Sequence, residues 1–143
     1  MPDLVVDSCV VAKWILPEAD SADSQKLFSN VAATGGHLIV LDLAFAEVAN
    51  AIRTRFHRGL ITSAEADEFL QDLETLPVGV EAARRLLQPA MEIAKRFERS
   101  IYDALFVALA HELRINGVTT DLPLHRAVTD SYPEIVLLRD ISK

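Results

Sequence analysis

Four acidic residues lie at positions where simple solvent exposure is a poor explanation: Asp7, Glu47, Asp103 and Asp121. Asp7 and Asp121 each follow a short apolar run typical of a buried strand, whereas Asp103 and Glu47 lie in strongly apolar helical segments. Carboxylates that meet in one crevice repel each other, by about 4 kcal/mol for two charges 4 Å apart at an effective dielectric constant of 20. Such a cluster persists if some members are protonated or if divalent cations neutralise them.

Carboxylate clusters of this kind favour a particular metal chemistry. All-oxygen ligation suits Mg²⁺ or Mn²⁺ rather than Zn²⁺. A cation that keeps water ligands can activate one of them and stabilise charge on phosphate oxygens, which is what phosphodiester hydrolysis requires. The chain has 14 Lys and Arg residues against 21 Asp and Glu residues, a formal net charge of −7. Binding of nucleic acid through charge alone usually needs a basic excess, so a polyanionic partner would need local basic patches or bound cations.

Each carboxylate also has a purely structural interpretation, and the residues alone leave it open. Asp7 and Asp121 could be N-caps of the helices that follow them, and Asp103 stands at capping-box spacing from Ser100. Glu47 could belong to a solvated stripe on a helix. The shared-site hypothesis rests on topology, because the carboxyl ends of neighbouring parallel strands open onto one crevice.

The remaining sequence alternates short apolar strands with helices. The predicted strands are 4–6, 37–40, 78–80, 117–120 and 135–138. The predicted helices are 8–15, 20–34, 43–58, 62–76, 81–98, 101–115 and 122–130, with Pro89 as a candidate break. This alternation predicts a three-layer α/β/α sandwich around a mostly parallel sheet. A length of 143 residues without a linker-like segment predicts one domain over 1–143.

Composition narrows the class of protein further. Half of the residues are apolar, which excludes intrinsic disorder. The single cysteine, Cys9, excludes an internal disulfide and is typical of a reducing compartment. The first residues lack the features of a signal peptide, and no apolar stretch approaches the length of a membrane span. We therefore expect a cytoplasmic protein without a membrane partner.

Four segments, in this order and spacing, resemble the motifs of the PIN domain, and the closest type is the VapC-like toxin of bacterial and archaeal toxin–antitoxin pairs. They are VVDSCVVAKWILPE at 5–18, EVANAI at 47–52, SIYDA at 100–104 and VTTD at 118–121. The resemblance extends over nearly the whole chain. Each motif alone is weak, but the four in sequence are fairly specific.

The resemblance implies an α/β/α sandwich with Mg²⁺- or Mn²⁺-dependent endoribonuclease activity, usually dimeric and blocked by a cognate antitoxin. It matches the metal-holding acidic quartet to Asp7, Glu47, Asp103 and Asp121. Ser8 and Thr119 match supporting hydroxyl positions, and Asn50 matches a polar neighbour of the glutamate. Some members carry a further acidic residue where this chain has Leu-Pro-Leu at 122–124, which leaves a second fully ligated metal open. The implied partners are RNA, an antitoxin protein and a second copy of the chain.

Two other function classes compete with the ribonuclease hypothesis. A non-catalytic protein-binding domain, or an inactive family member that mainly binds an antitoxin, would use the carboxylates only as caps and surface charges. An aspartyl phosphatase would use Asp7 as its nucleophile, but it needs a second Asp two residues later, where this chain has Cys9.

Two further groups of residues have both a functional and a structural interpretation. The apolar positions in and just before the fourth predicted helix could form a dimer or antitoxin surface, or ordinary core: Leu60, Ile61, Phe69, Leu70, Leu73 and Leu76. The basic residues Lys95, Arg96 and Arg99 precede Asp103 closely, and they could contact RNA phosphates or form a solvated helix face.

Overall fold

The computed structural model describes residues 3–141 and contains one five-stranded, all-parallel sheet. The strands are β1 (Leu4–Val6), β2 (Leu38–Leu41), β3 (Gly79–Glu81), β4 (Gly117–Thr119) and β5 (Ile135–Leu137). Their order in the sheet is β3-β2-β1-β4-β5. β2 and β3 therefore lie on one side of β1 in the sheet, and β4 and β5 lie on the other side.

Helices cover both faces of this sheet. They are α1 (Ser8–Ile15), α2 (Ser21–Ala33), α3 (Leu43–His57), α4 (Ser63–Glu74), α5 (Leu87–Phe97), α6 (Ile101–Leu113), α7 (Leu122–Val128) and α8 (Leu138–Ile141). One core joins α1–α4 and α8 to Leu4 and Val6, and the other joins α5–α7 to Val5. All three residues of β1 are buried, as expected for a parallel strand covered on both sides. The predicted three-layer sandwich is confirmed.

Several helix ends follow directly from local sequence signals. Thr62 and Glu65 form a capping box at the start of α4, with hydrogen bonds of 2.9 and 3.1 Å. Gly59 ends α3 in the left-handed region at φ +71°, a conformation that glycine adopts without a steric cost. The capping box and the glycine therefore determine where α3 ends and α4 begins.

The predicted helix over 81–98 is wrong in its first part. Residues 79–81 pair with β2 as β3, a short 3₁₀ turn follows at Arg84–Leu86, and α5 begins only at Leu87. Pro89 lies in the first turn of α5 and does not divide it, because a proline is tolerated there without losing an internal hydrogen bond. The last strand ends at Leu137 and is followed by the short helix α8, which the sequence did not predict. Within residues 3–141, no helix has both the length and the apolar character needed to cross a membrane.

Gly117 lies at a close contact between β4, α6 and β5, where a side chain would not fit without displacing its neighbours. A Cβ atom there would lie 3.0 Å from both Ala110 Cβ and Phe106 Cζ and 3.1 Å from Ile135 Cδ1. These atoms belong to a close-packed core, so moving them to make room for a methyl group costs free energy. The absence of a side chain at Gly117 lets α6 pack directly on β4, and it therefore helps to position the start of α6.

We expect Gly117→Ala to lower the free energy of unfolding by about 1–3 kcal/mol, because the added methyl group overpacks this contact. Urea unfolding measures the change. Gly79→Ala is the matched control, since its Cβ would meet nothing closer than 3.5 Å. Equal stabilities of the two variants would contradict the packing argument.

Candidate active site

Two of the predicted carboxylates lie where the strand order reverses. β2 and β4 flank β1 on opposite sides, so the carboxyl edge opens between β1 and β4. Crevices at such switch points are the usual ligand sites of parallel sheets. Asp7 follows β1 and donates its backbone N–H to Val118 O at 3.0 Å, and Asp121 lies two residues beyond the end of β4. The sheet therefore brings these two residues to the same edge, as the sequence predicted.

Thr119 connects the two strand ends through one buried hydroxyl. Its Oγ1 donates to Asp7 Oδ2 at 2.9 Å and accepts the backbone N–H of Asp121 at 3.1 Å. Thr119 is fully buried, so these two bonds satisfy a group that water does not reach. The predicted supporting position of Thr119 thus has a geometric basis: it fixes the Asp7 carboxylate against β4.

Cys9 belongs to the same hydrogen-bonded group, a role that no motif in the sequence indicates. Its Sγ lies 3.5 Å from Thr119 Oγ1 and accepts the backbone N–H of Thr120 at 3.4 Å. Burial, and then the charge of Asp7, raise the pKa of the thiol to about 11, so it stays protonated at neutral pH. A buried neutral thiol cannot replace the second carboxylate of an aspartyl phosphatase, which argues against that alternative.

Glu47 approaches Asp7 from α3. The Ser8 side chain interacts with the Glu47 carboxylate and opposes the rise of its pKa, while the Ser8 backbone N–H donates to Asp7 Oδ1 at 2.9 Å. Ser8 therefore lies next to both carboxylates, and its supporting role stays a prediction. Asn50 is exposed three residues farther along α3, on the same side of the helix as Glu47, and its functional role stays a prediction.

Asp103 lies in the first turn of α6 and forms an ion pair with Arg99. Arg99 Nη2 is 3.2 Å from Asp103 Oδ2, and the Asp103 backbone N–H donates to Ser100 Oγ at 3.1 Å. The sequence leaves RNA contact and a solvated helix face open for Arg99, and in the structure its guanidinium balances part of the charge of Asp103. Its Nε atom is buried and has no hydrogen-bond partner among the described residues. Only the four-residue spacing could have signalled this pair from sequence.

The carboxylates are electrostatically coupled. Burial raises the pKa of Asp7 to about 6, the charges of Asp103 and Glu47 add to this rise, and the hydrogen bonds from Thr119 and Ser8 oppose it. Partial burial also raises the pKa of Glu47, again with a contribution from Asp103. The structure thus brings Asp7, Glu47 and Asp103 into one electrostatic group, with Asp121 attached through Thr119.

The structural interpretation of these residues is also correct in part. Asp7 Oδ1 caps α1, Asp121 Oδ1 caps α7 by accepting Leu124 N–H at 3.0 Å, and Ser100 caps α6. Glu47 is exposed, as the solvated-stripe interpretation required. Capping and clustering therefore coexist, since a helix that starts directly after a parallel strand points its N-cap at the ligand crevice.

The donor set fits a hard cation in its chemistry. Every candidate ligand is a carboxylate oxygen, which suits Mg²⁺ or Mn²⁺. No three Asp, Glu, His or Cys side chains within residues 3–141 converge closely enough to form a complete metal cage. Mg²⁺ commonly binds through one or two carboxylates and keeps several waters, so such a cage is not required. The cleft lined by Asp7, Ser8, Glu47 and Tyr102 has a volume of about 10 Å³, close to that of one water-sized sphere.

Comparison with known proteins gives consistent results. Residues 4–128, which include all four carboxylates, match the PIN domain. Ribonuclease VapC3 of Pyrobaculum aerophilum is 30% identical over 135 residues, which are 93% of this chain and 97% of that protein. A crystal structure of PAE2754 from Pyrobaculum aerophilum has a TM-score of 0.74 at 18% identity, covering 99% of this chain and 94% of that one. A toxin–antitoxin complex from Klebsiella pneumoniae has a TM-score of 0.66 at 10% identity, covering 94% and 97%. The two structures support the fold.

The raised pKa of Asp7 predicts how stability depends on pH. Between about pH 4 and pH 6 the folded chain keeps a proton that the unfolded chain has lost, so wild-type stability falls as pH rises through this window. Asp7→Asn removes the effect. Relative to wild type, we expect this variant to gain at most about 3 kcal/mol in unfolding free energy on going from about pH 4 to about pH 8.

Urea unfolding in EDTA across this pH range measures the difference. Asp72→Asn, an exposed aspartate on α4, is the matched control and should track wild type throughout. A constant offset between Asp7→Asn and wild type over the whole range would contradict the assigned burial of the Asp7 charge.

Proposed function

The chain belongs to the PIN domain family, and we propose that it is a Mg²⁺- or Mn²⁺-dependent endoribonuclease that hydrolyses RNA phosphodiester bonds. The observation that carries the proposal is the coupled group of Asp7, Glu47 and Asp103, whose mutual repulsion a divalent cation would relieve. The relative Ribonuclease VapC3 supports RNA as the substrate class. Helix capping explains the positions of Asp7 and Asp121, but it leaves the approach of Glu47 and Asp103 to Asp7 unexplained.

We assign the metal-holding role to Asp7, Glu47, Asp103 and Asp121, acting directly or through water. A bound Mg²⁺ or Mn²⁺ supplies an activated water and offsets negative charge on the phosphate. Thr119 fixes the orientation of Asp7 by donating to Oδ2, and Arg99 holds Asp103. Glu47 is exposed and has a raised pKa, so it is the carboxylate best placed to accept a proton from the attacking water.

We further propose that the chain acts in the cytoplasm as the toxin of a toxin–antitoxin pair, with a cognate antitoxin and a second copy of itself as partners. The structural likeness to a toxin–antitoxin complex supports this. Exposed apolar side chains on and between α3 and α4 offer a surface for a protein partner: Phe56, Leu60 and Leu70. The other apolar positions of this region are buried or partly buried in the core: Ile61, Phe69, Leu73 and Leu76. Only the exposed side chains of Phe56, Leu60 and Leu70 are therefore available to a partner in this region.

Purified protein should cleave a mixed panel of single-stranded RNAs with Mn²⁺ or Mg²⁺ and should be inactive in EDTA. The double variant Asp7→Asn, Asp103→Asn should lose at least about 100-fold in rate, because it removes two negative charges from the cluster that holds the cation. Gel analysis of end-labelled RNA gives the rates.

Asp72→Asn, purified in the same way, controls for charge loss and should retain wild-type activity. Cleavage that persists in the double variant or in EDTA would indicate a contaminating nuclease and contradict the proposal. An absence of metal-dependent cleavage in wild type over the whole panel would favour a non-catalytic binding role.

A further inference from the structure

The size of the carboxylate cleft restricts where a substrate can lie. Its volume of about 10 Å³ admits an ion or a single water, but not a nucleotide. A phosphodiester must therefore lie across the mouth of the cleft, and the bases on either side of it must rest on the surrounding surface. The side chains at that mouth then decide how the RNA is held.

Tyr102 is an aromatic side chain at this mouth. It lines the cleft together with Asp7 and Glu47, and it directly precedes Asp103 in the first turn of α6. Its side chain is 58% exposed, although the residues that follow in α6, 104–110, are all buried. A large ring beside the carboxylates is therefore accessible to a ligand, and it offers an apolar face for contact.

The charge around the cleft explains why a neutral ring is useful there. The carboxylates repel phosphates, and the nearby Arg99 is engaged by Asp103. With a net charge of −7, the chain gains little general attraction for a polyanion. Stacking on an aromatic ring is independent of charge, and it is available for any nucleobase.

We propose that Tyr102 stacks on a nucleobase adjacent to the scissile phosphate. The inference rests on the proposed ribonuclease function and names a substrate-binding residue for it. Bases within a duplex are covered on both faces by their neighbours, so a surface ring can stack only on a base that is free or splayed out. The Tyr102 hydroxyl is not needed for this interaction.

Steady-state cleavage of a single-stranded RNA, with its cut site mapped on wild type, tests the proposal. Tyr102→Ala should raise KM about 5- to 100-fold, the range expected for losing one stacked base, while kcat changes by less than about 3-fold. Tyr102→Phe and Tyr102→Trp should restore KM to within about 3-fold of wild type. Met91→Ala, an exposed apolar position on α5 outside the lining of the cleft, is the control and should leave KM unchanged.

A fluorescent base supplies a direct signature. The same RNA with 2-aminopurine beside the mapped bond should be quenched on binding wild type, Tyr102→Phe and Tyr102→Trp, but not on binding Tyr102→Ala. Sedimentation and thermal unfolding should be the same for all of these proteins. An unchanged KM with retained quenching in Tyr102→Ala would overturn the stacking role while leaving the ribonuclease function intact. A changed assembly state in that variant would assign Tyr102 to a protein interface, and a wild type that neither cleaves nor binds RNA would overturn both proposals.

Discussion

The fold has to hold like charges close together beside one cleft, and this repulsion is the constraint on which the site depends. Asp7 is partly withdrawn from water and faces the charges of Glu47 and Asp103, and the result is a pKa of about 6 for an aspartate. Such repulsion weakens the folded state unless protons, a counter-charge or a cation offset it. Arg99 supplies one counter-charge at Asp103, and hydrogen bonds from Thr119 and Ser8 supply further compensation at Asp7.

The fold can hold this arrangement because two packed cores fix the elements that carry it. β1 and β4 are buried between helical layers, so their carboxyl ends are rigid points from which Asp7 and Asp121 extend. Thr119 links the two ends through a hydroxyl that water does not reach. Close packing of α6 against β4 at Gly117 helps to set the position from which Asp103 and Tyr102 extend. Asp7 and Asp121 cap the starts of α1 and α7, and these helix starts also place the two residues at the carboxyl edge of the sheet.

Much of this arrangement could be predicted from local patterns, and the parts that could not depend on contacts distant in sequence. Asp7 and Asp121 were predictable because each follows a short apolar strand, and parallel strands bring such residues to one edge. The sequence predicts the strand at 79–81 one residue early, and it starts the following helix too soon. In the structure the Ala83 N–H donates to the side chain of Asp42, which is 41 residues away and therefore invisible to local patterns. Arg99 precedes Ser100, the N-cap of α6, so its pairing with Asp103 lies across a helix start, and the four-residue spacing alone does not distinguish it from a solvated cation. Tyr102 is exposed at the cleft, and the hydrophobic pattern of the sequence does not indicate where that cleft lies.

Calorimetric titration of the metal-free protein with Mn²⁺ tests most directly whether the carboxylates act together as a cation site. The account predicts saturable binding to wild type and to Asp72→Asn, with affinity reduced at least about 10-fold in Asp7→Asn and in Asp103→Asn separately. Because each single variant removes only one charge and Asp72→Asn removes the same charge elsewhere, a general electrostatic effect would lower all three affinities alike. Equal Mn²⁺ affinity in wild type and in both site variants, or no binding to wild type, would contradict a shared metal site built from these residues.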